Sequence, residues 1–216
     1  CIRDRHKCID RSGEMPHFLL GEQERCPFLN GKNLCDLILY GGEGMLCQIC
    51  TDHPRYRSFF SERTEIGVGL CCEEAARLIL TRSEKTTLVV TGEGELDEEE
   101  TALLTLRDHL FAIAQNREEP INQRMGQILS ACGAHVPDVP LAQWAEFYLS
   151  LERMDEVWTG ILEALREHAD ELPLDDFAAH MKGRETEYEQ LLVYFLYRHV
   201  PTALDDGDVS SKAAFA

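Results

Sequence analysis

Basic charge is what this sequence most lacks. Its 21 Lys and Arg face 39 Asp and Glu, for a formal net charge of −18. Phosphate binding needs a basic face that releases counterions, so this balance excludes a nucleic-acid partner and favours a cationic or neutral one. Long apolar runs are missing as well. The longest uninterrupted one, "LLVYFLY" at 191–197, falls far short of the ~20 residues of a membrane-spanning helix. The glycine fragments "GVG" at 67–69 and "GEG" at 92–94 lack a strand–loop–helix setting with an acidic residue about 20 positions on, which excludes a Rossmann-type cofactor domain. No C-x-x-x-C-x-x-C run, internal repeat or low-complexity tract occurs. An initiating Met is absent too: the chain opens on Cys1 and closes on "SSKAAFA". It therefore reads as a piece of a longer protein, with the cytoplasm as its expected location and a targeting segment left open.

What is present is uneven. At 216 residues the chain can bury roughly 70% of its unfolded surface without staples, so its cysteines need another reason. Eight of the nine (Cys1, Cys8, Cys26, Cys35, Cys47, Cys50, Cys71 and Cys72) lie in the first third. Charge divides at the same place. Residues 1–82 hold 11 Lys and Arg against 12 Asp and Glu, and residues 83–216 hold 10 against 27. Composition thus predicts a cysteine-rich, loop-rich metal-binding region, 1–82, packed on an acidic helical bundle, 83–216, in a mainly α fold.

Helical periodicity dominates the second region. "TTLVV" at 86–90 is β-branched and predicts a short strand. Asp97 with Glu100 forms a capping-box pattern ahead of Leu103, Leu106, Leu110 and Ile113, which predicts a helix over 97–116. Pro120 can open the next helix and Gly133 close it, with Cys132 on the core face. Further helices are expected after Pro140, behind Asp155, around Phe177 and Met181, and over 184–199. The last is apolar nearly all round and should lie centrally. "CCEEAARLIL" at 71–80 predicts one more, with Glu73 and Glu74 in its first turn. The Trp and Tyr stripes read as packing residues, and "DDGD" at 205–208 lacks the spacing of a calcium loop.

Thiolate chemistry is concentrated in the loops before that helix. Cys47 and Cys50 form a C-x-x-C pair, whose spacing lets two sulfurs face one metal ion. Cys26 and Cys35 bracket an "NGKN" turn that can return the second sulfur toward the first. Cys71 and Cys72 sit where a helix start lowers a thiol's pKa. Four thiolates of this kind suit zinc or an iron–sulfur cluster. A disulfide framework, a thioredoxin-like redox pair and a purely structural zinc module are the alternatives.

The ordered segments "CPFLNGKNLCDL", "LCQICTDHPRYR" and "TEIGVGLCCEEAARLIL" resemble the flagellin lysine-N-methylase family, a branch of the wider cysteine-cluster proteins regarded as zinc or iron chelators. The resemblance is densest over 26–82 and returns weakly at "YFLYRHVPTALDDGD", 194–208. It implies methyl transfer from S-adenosylmethionine to lysine side chains of flagellin, with an iron–sulfur cluster, 4Fe–4S in kind, and zinc as the alternative metal. Carried over by position, it implies Cys26, Cys35, Cys50 and Cys72 as metal ligands, Cys47 and Cys71 as neighbours or alternates, Pro54 and Arg55 as the Pro-Arg of the motif, and Glu74 as its last acidic position. The family's further N-terminal cluster, C-x-x-x-C and then a Cys-Cys pair, has no match here. Either the chain is cut ahead of Cys1 or this member lacks that cluster. Methylating lysine requires a neutral amine and a positioned donor. Arg55 is a candidate to hold the donor's carboxylate, Glu65 to orient the amine, Tyr56 to accept its proton and His53 to join Cys50 as a ligand. For each, the plainer readings are loop bracing, a salt bridge, a half-buried aromatic and loop packing. The rival to an enzyme is a noncatalytic metal-stapled module that docks a protein partner.

Overall fold

A computed structural model describes residues 7–136, 138–171, 179 and 181–216. The chain is mainly helical and forms two compact units, Cys1–Tyr56 and Arg57–Ala216. The compositional step at residue 82 therefore falls inside the second unit.

Short elements and loops make up the first unit. Strands β1 (Ile9–Asp10) and β2 (His17–Phe18) pair antiparallel, Ile9 opposite Phe18. Helices α1 (Asp36–Gly41) and α2 (Gln48–Asp52) are each less than two turns long. Among its described residues only Phe28 and Leu37 are buried apolar side chains. Phe18 meets Phe28 edge to face with ring centres 5.4 Å apart. So small an apolar core cannot by itself offset the entropy of ordering the loops around it.

The second unit opens with the hairpin β3 (Arg55–Phe59) and β4 (Thr64–Val68), whose first strand carries the chain across from the first unit. Helices follow: α3 (Glu73–Leu80), α4 (Glu98–Ala114), α5 (Ile121–Ala131), α6 (Leu141–Leu149), α7 (Glu156–His168), α8 (Glu185–His199), α9 (Ala203–Asp206) and α10 (Val209–Phe215). The expected capping box is present. Asp97 accepts from the Glu100 amide, and the Glu100 carboxylate accepts from the Asp97 amide while its other oxygen takes the Ser61 amide. Pro120 precedes α5, and Gly133, with a φ of +59°, follows its end, a backbone conformation that favours glycine.

Leu103, Leu110 and Phe111 of α4, Ile128 of α5, and Leu192, Val193 and Leu196 of α8 form the centre of the core, closed by Val200, Ala203 and Ala213. Helix α8 is central, as its all-round apolar character predicts, and α3, α4, α5 and α10 pack on it. Its polar residues are also buried. Glu189, 1% exposed, holds Arg124 of α5 at 2.8 Å and Arg117 at 2.8 Å, and the Arg124 guanidinium also donates to the Ala114 carbonyl at the end of α4. Tyr194 accepts from the Leu70 amide, and Tyr197 donates to the Ile66 carbonyl.

The strand expected at 86–90 does not form. Among the described residues no strand lies beside it to complete a ladder, and at Thr86 two glutamines supply polar partners instead. Gln115 accepts from the Thr86 amide and donates to the Thr86 carbonyl. Gln190 accepts from the Thr86 hydroxyl and donates to the carbonyls of Arg82 and Glu84. Val89 and Val90 are left exposed. The helix expected around Phe177 and Met181 lies mostly outside the described residues. Among the described residues no helix is long and apolar enough to cross a membrane.

Two substitutions test this core. Glu189→Ala strands the buried Arg124 and is expected to cost about 3–5 kcal/mol. Gly126→Ala, on the exposed face of α5 with open space around the added methyl, is expected to gain about 0.5–1 kcal/mol. Urea denaturation measures both.

Candidate metal centre

Residues 26–36 form a loop held by its own asparagines. Asn30 accepts from the Lys32 and Leu34 amides through its side-chain oxygen and donates to the Asp36 carboxylate at 3.0 Å. Its amide reaches the Leu34 carbonyl, and its carbonyl takes the Asn33 amide. Asn33 adopts a φ of +59°, which asparagine tolerates. Arg25 locks the outside, donating to Asn33 Oδ1 at 2.7 Å and to the Asn30 carbonyl at 2.6 Å. The chain thus doubles back, and Leu29 and Cys35 form an antiparallel bridge. This is the expected "NGKN" return, and it places Cys35 just ahead of α1.

The second pair stands on α2. Cys47 is its N-cap residue and Cys50 lies in its first turn. Their sulfurs are 3.4 Å apart. Burial opposes ionisation of Cys47, but hydrogen bonds from the Cys50 amide and thiol outweigh it and hold Cys47 below the usual thiol range. Cys50 moves the other way. Burial, the bond to Cys47 and the neighbouring sulfurs of Cys47, Cys26 and Cys35 push it up to about 11. Cys47 and Cys50 thus form a coupled pair, and the sulfurs of Cys26 and Cys35, in the same unit, add to the cost of ionising Cys50. They are not closed around a point: among the described residues no three His, Cys, Asp or Glu side chains are grouped to hold a metal ion. The arrangement is a close pair approached by two further thiols.

The remaining expected residues are placed differently. Cys72 belongs to the second unit, as the N-cap residue of α3, and its side chain makes no capping bond. Arg55 is exposed and donates to the Thr51 carbonyl at 3.0 Å, bracing the end of α2. His53 is exposed, and Tyr56 is half-buried. Glu65 is 7% exposed, with both oxygens engaged by Arg107 at 2.5 and 2.9 Å and one also by Arg63 at 2.7 Å. The Arg107 guanidinium lies over the rings of Tyr197 and Phe111. A carboxylate held in this way is already paired with two guanidinium groups. Glu74 pairs with Arg77 on the surface of α3. Cys47, a neighbour or alternate by resemblance, is the nearest sulfur partner of Cys50, and its C-x-x-C spacing is the signal for that role.

Comparison of the chain with family models, with curated proteins and with solved structures gave no match.

The opposite shifts of the pair predict an order of reaction. In reduced, metal-free protein treated briefly with iodoacetamide at pH 8, Cys47 should be alkylated well before Cys50, since the thiolate is the nucleophile. Peptide mass spectrometry reads the order, and Cys50 reacting first would contradict these opposite shifts.

Proposed function

We propose that the first unit is a metal–thiolate module in which Cys26, Cys35, Cys47 and Cys50 hold a single zinc ion. The observation that carries this reading is the Cys47–Cys50 sulfur pair, 3.4 Å apart, in a unit that also holds Cys26 and Cys35 and whose described residues include only two buried apolar side chains. The donor set fits. In a tetrahedral site with Zn–S bonds of ~2.3 Å, two sulfurs stand roughly 3.8 Å apart, close to the 3.4 Å separating Cys47 and Cys50. The ion would supply folding free energy to a unit whose core is too small to supply it.

The ordered motifs favour a second reading. In it, the same cysteine region serves an S-adenosylmethionine-dependent lysine N-methyltransferase of the flagellin type, with an iron–sulfur cluster on Cys26, Cys35, Cys50 and Cys72, acting in the cytoplasm. Arg55 and Tyr56 are its candidates for donor and amine contacts. Glu65 is the weaker candidate because its carboxylate is already paired.

Metal analysis of single variants separates the two ligand sets. One zinc per chain, lost in Cys26→Ala, Cys35→Ala, Cys47→Ala and Cys50→Ala but kept in Cys72→Ala, is the expected result. Chelation should then unfold the first unit, seen as loss of hydrogen-exchange protection over α1 and α2. Iron with sulfide, a broad visible absorption and loss of metal in Cys72→Ala but not Cys47→Ala would transfer the assignment to the cluster. Labelled methyl transfer to flagellin by the metal-loaded protein tests the enzymatic reading, which a null result with both metals retires.

A further inference from the structure

Helices α6 and α7 pack on one another, and Ala145 of α6 and Thr159 and Leu162 of α7 are buried. Beside this seam lies a continuous aromatic face. Trp144 stacks on Tyr148 at 6.2 Å, Phe147 meets Tyr148 at 5.5 Å, and Tyr148 reaches across to Trp158 of α7 at 6.4 Å. Much of it remains in water: Phe147 is 52% exposed, Tyr148 43% and Trp158 37%. On α7, Val157 and Ile161, one turn apart, are 72% and 54% exposed. A contiguous exposed apolar patch of this kind marks an interaction surface more often than scattered apolar residues do.

Charge selects the occupant. Residues 141–171 carry eight carboxylates against two arginines, a net −6. Glu156, Glu163 and Glu167 recur at i, i+7 and i+11, forming an acidic row on α7 about a third of a turn around the helix from Val157 and Ile161. A second copy would bring the same −6 against itself, and an anionic lipid surface would be repelled likewise. A cationic amphipathic segment answers both features, its apolar side on the aromatic face and its Lys or Arg drawn by the hairpin's net negative charge. We propose that the exposed face of the α6–α7 hairpin docks a basic amphipathic helix of a partner protein. This surface is independent of the metal–thiolate reading.

The chain's two tryptophans, Trp144 and Trp158, both lie on this face, so tryptophan emission reports on it alone. The probe is a synthetic amphipathic helix of leucine and lysine, titrated into the full chain, with a scrambled isomer of equal charge as control. The expected result is a saturable blue shift with the amphipathic helix and at least about tenfold weaker binding of the isomer. Phe147→Ser combined with Ile161→Ser should weaken binding by about tenfold or more, and circular dichroism checks that this surface variant folds. Glu156→Lys with Glu163→Lys, which brings the hairpin from −6 to −2, should weaken it too. Equal binding of the scrambled isomer, or affinity within about twofold in the Phe147/Ile161 variant, would overturn the proposal as attraction to net charge alone. So would concentration-dependent dimerisation abolished by that variant, which would make a second copy the occupant. An emission shift on anionic or zwitterionic vesicles without one on the peptide would make it a lipid surface.

Discussion

The helical unit is organised around a carboxylate that cannot be left alone. Glu189 is almost wholly withdrawn from water on the central helix α8, and its charge is tolerable only because Arg124 and Arg117 meet it there. Those arginines come from α5 and from the connection after α4, and Arg124 also takes the last turn of α4 by its Ala114 carbonyl. The ion pair thereby fixes how three helices meet, which apolar packing of Leu110, Ile128 and Leu196 alone would leave open to sliding. Glu65 and Arg107 repeat the device between β4 and α4. The Nε atoms of both buried arginines make no hydrogen bond, so each site is satisfied through its terminal nitrogens.

Much of the helical architecture was legible because each helix carries its own signal. Asp97 with Glu100, Pro120, Gly133 and Asp155 mark ends by chemistry acting within four residues, and the apolar spacing between them needs no knowledge of partners. Glu65, Arg107, Arg124 and Glu189 were illegible as a core because each pairing spans dozens of residues, and a charged residue on a helix is ordinarily a solvated one. The "TTLVV" segment misled for a related reason. β-branched residues favour a pleated surface, but a strand exists only where another lies beside it, and here glutamine side chains occupy that role at Thr86.

The cysteines show a different limit. The "NGKN" return and the Cys47–Cys50 pair follow from local turn and helix geometry, so spacing found them. The expectation that the chain needs no staple counted 216 residues as one body. Divided as it is, the first unit must hold its loops with Phe28, Leu37 and little else apolar. Sequence order along a resemblance placed Cys72 with the other ligands. Spacing also showed that Cys72 starts a helix, but not that this helix belongs to the second unit.

The two glutamines at Thr86 have a consequence for how this chain ages. Each uses its amide as a donor and its oxygen as an acceptor at once, in the manner of a peptide group, and glutamate can reproduce only half of that. Hydrolysis of the Gln190 amide would set a carboxylate against the carbonyl oxygens of Arg82 and Glu84. A deamidated copy would keep its shape and mass almost unchanged while the joint between α3 and α4 repelled itself, so slow chemical wear would first appear in this connection.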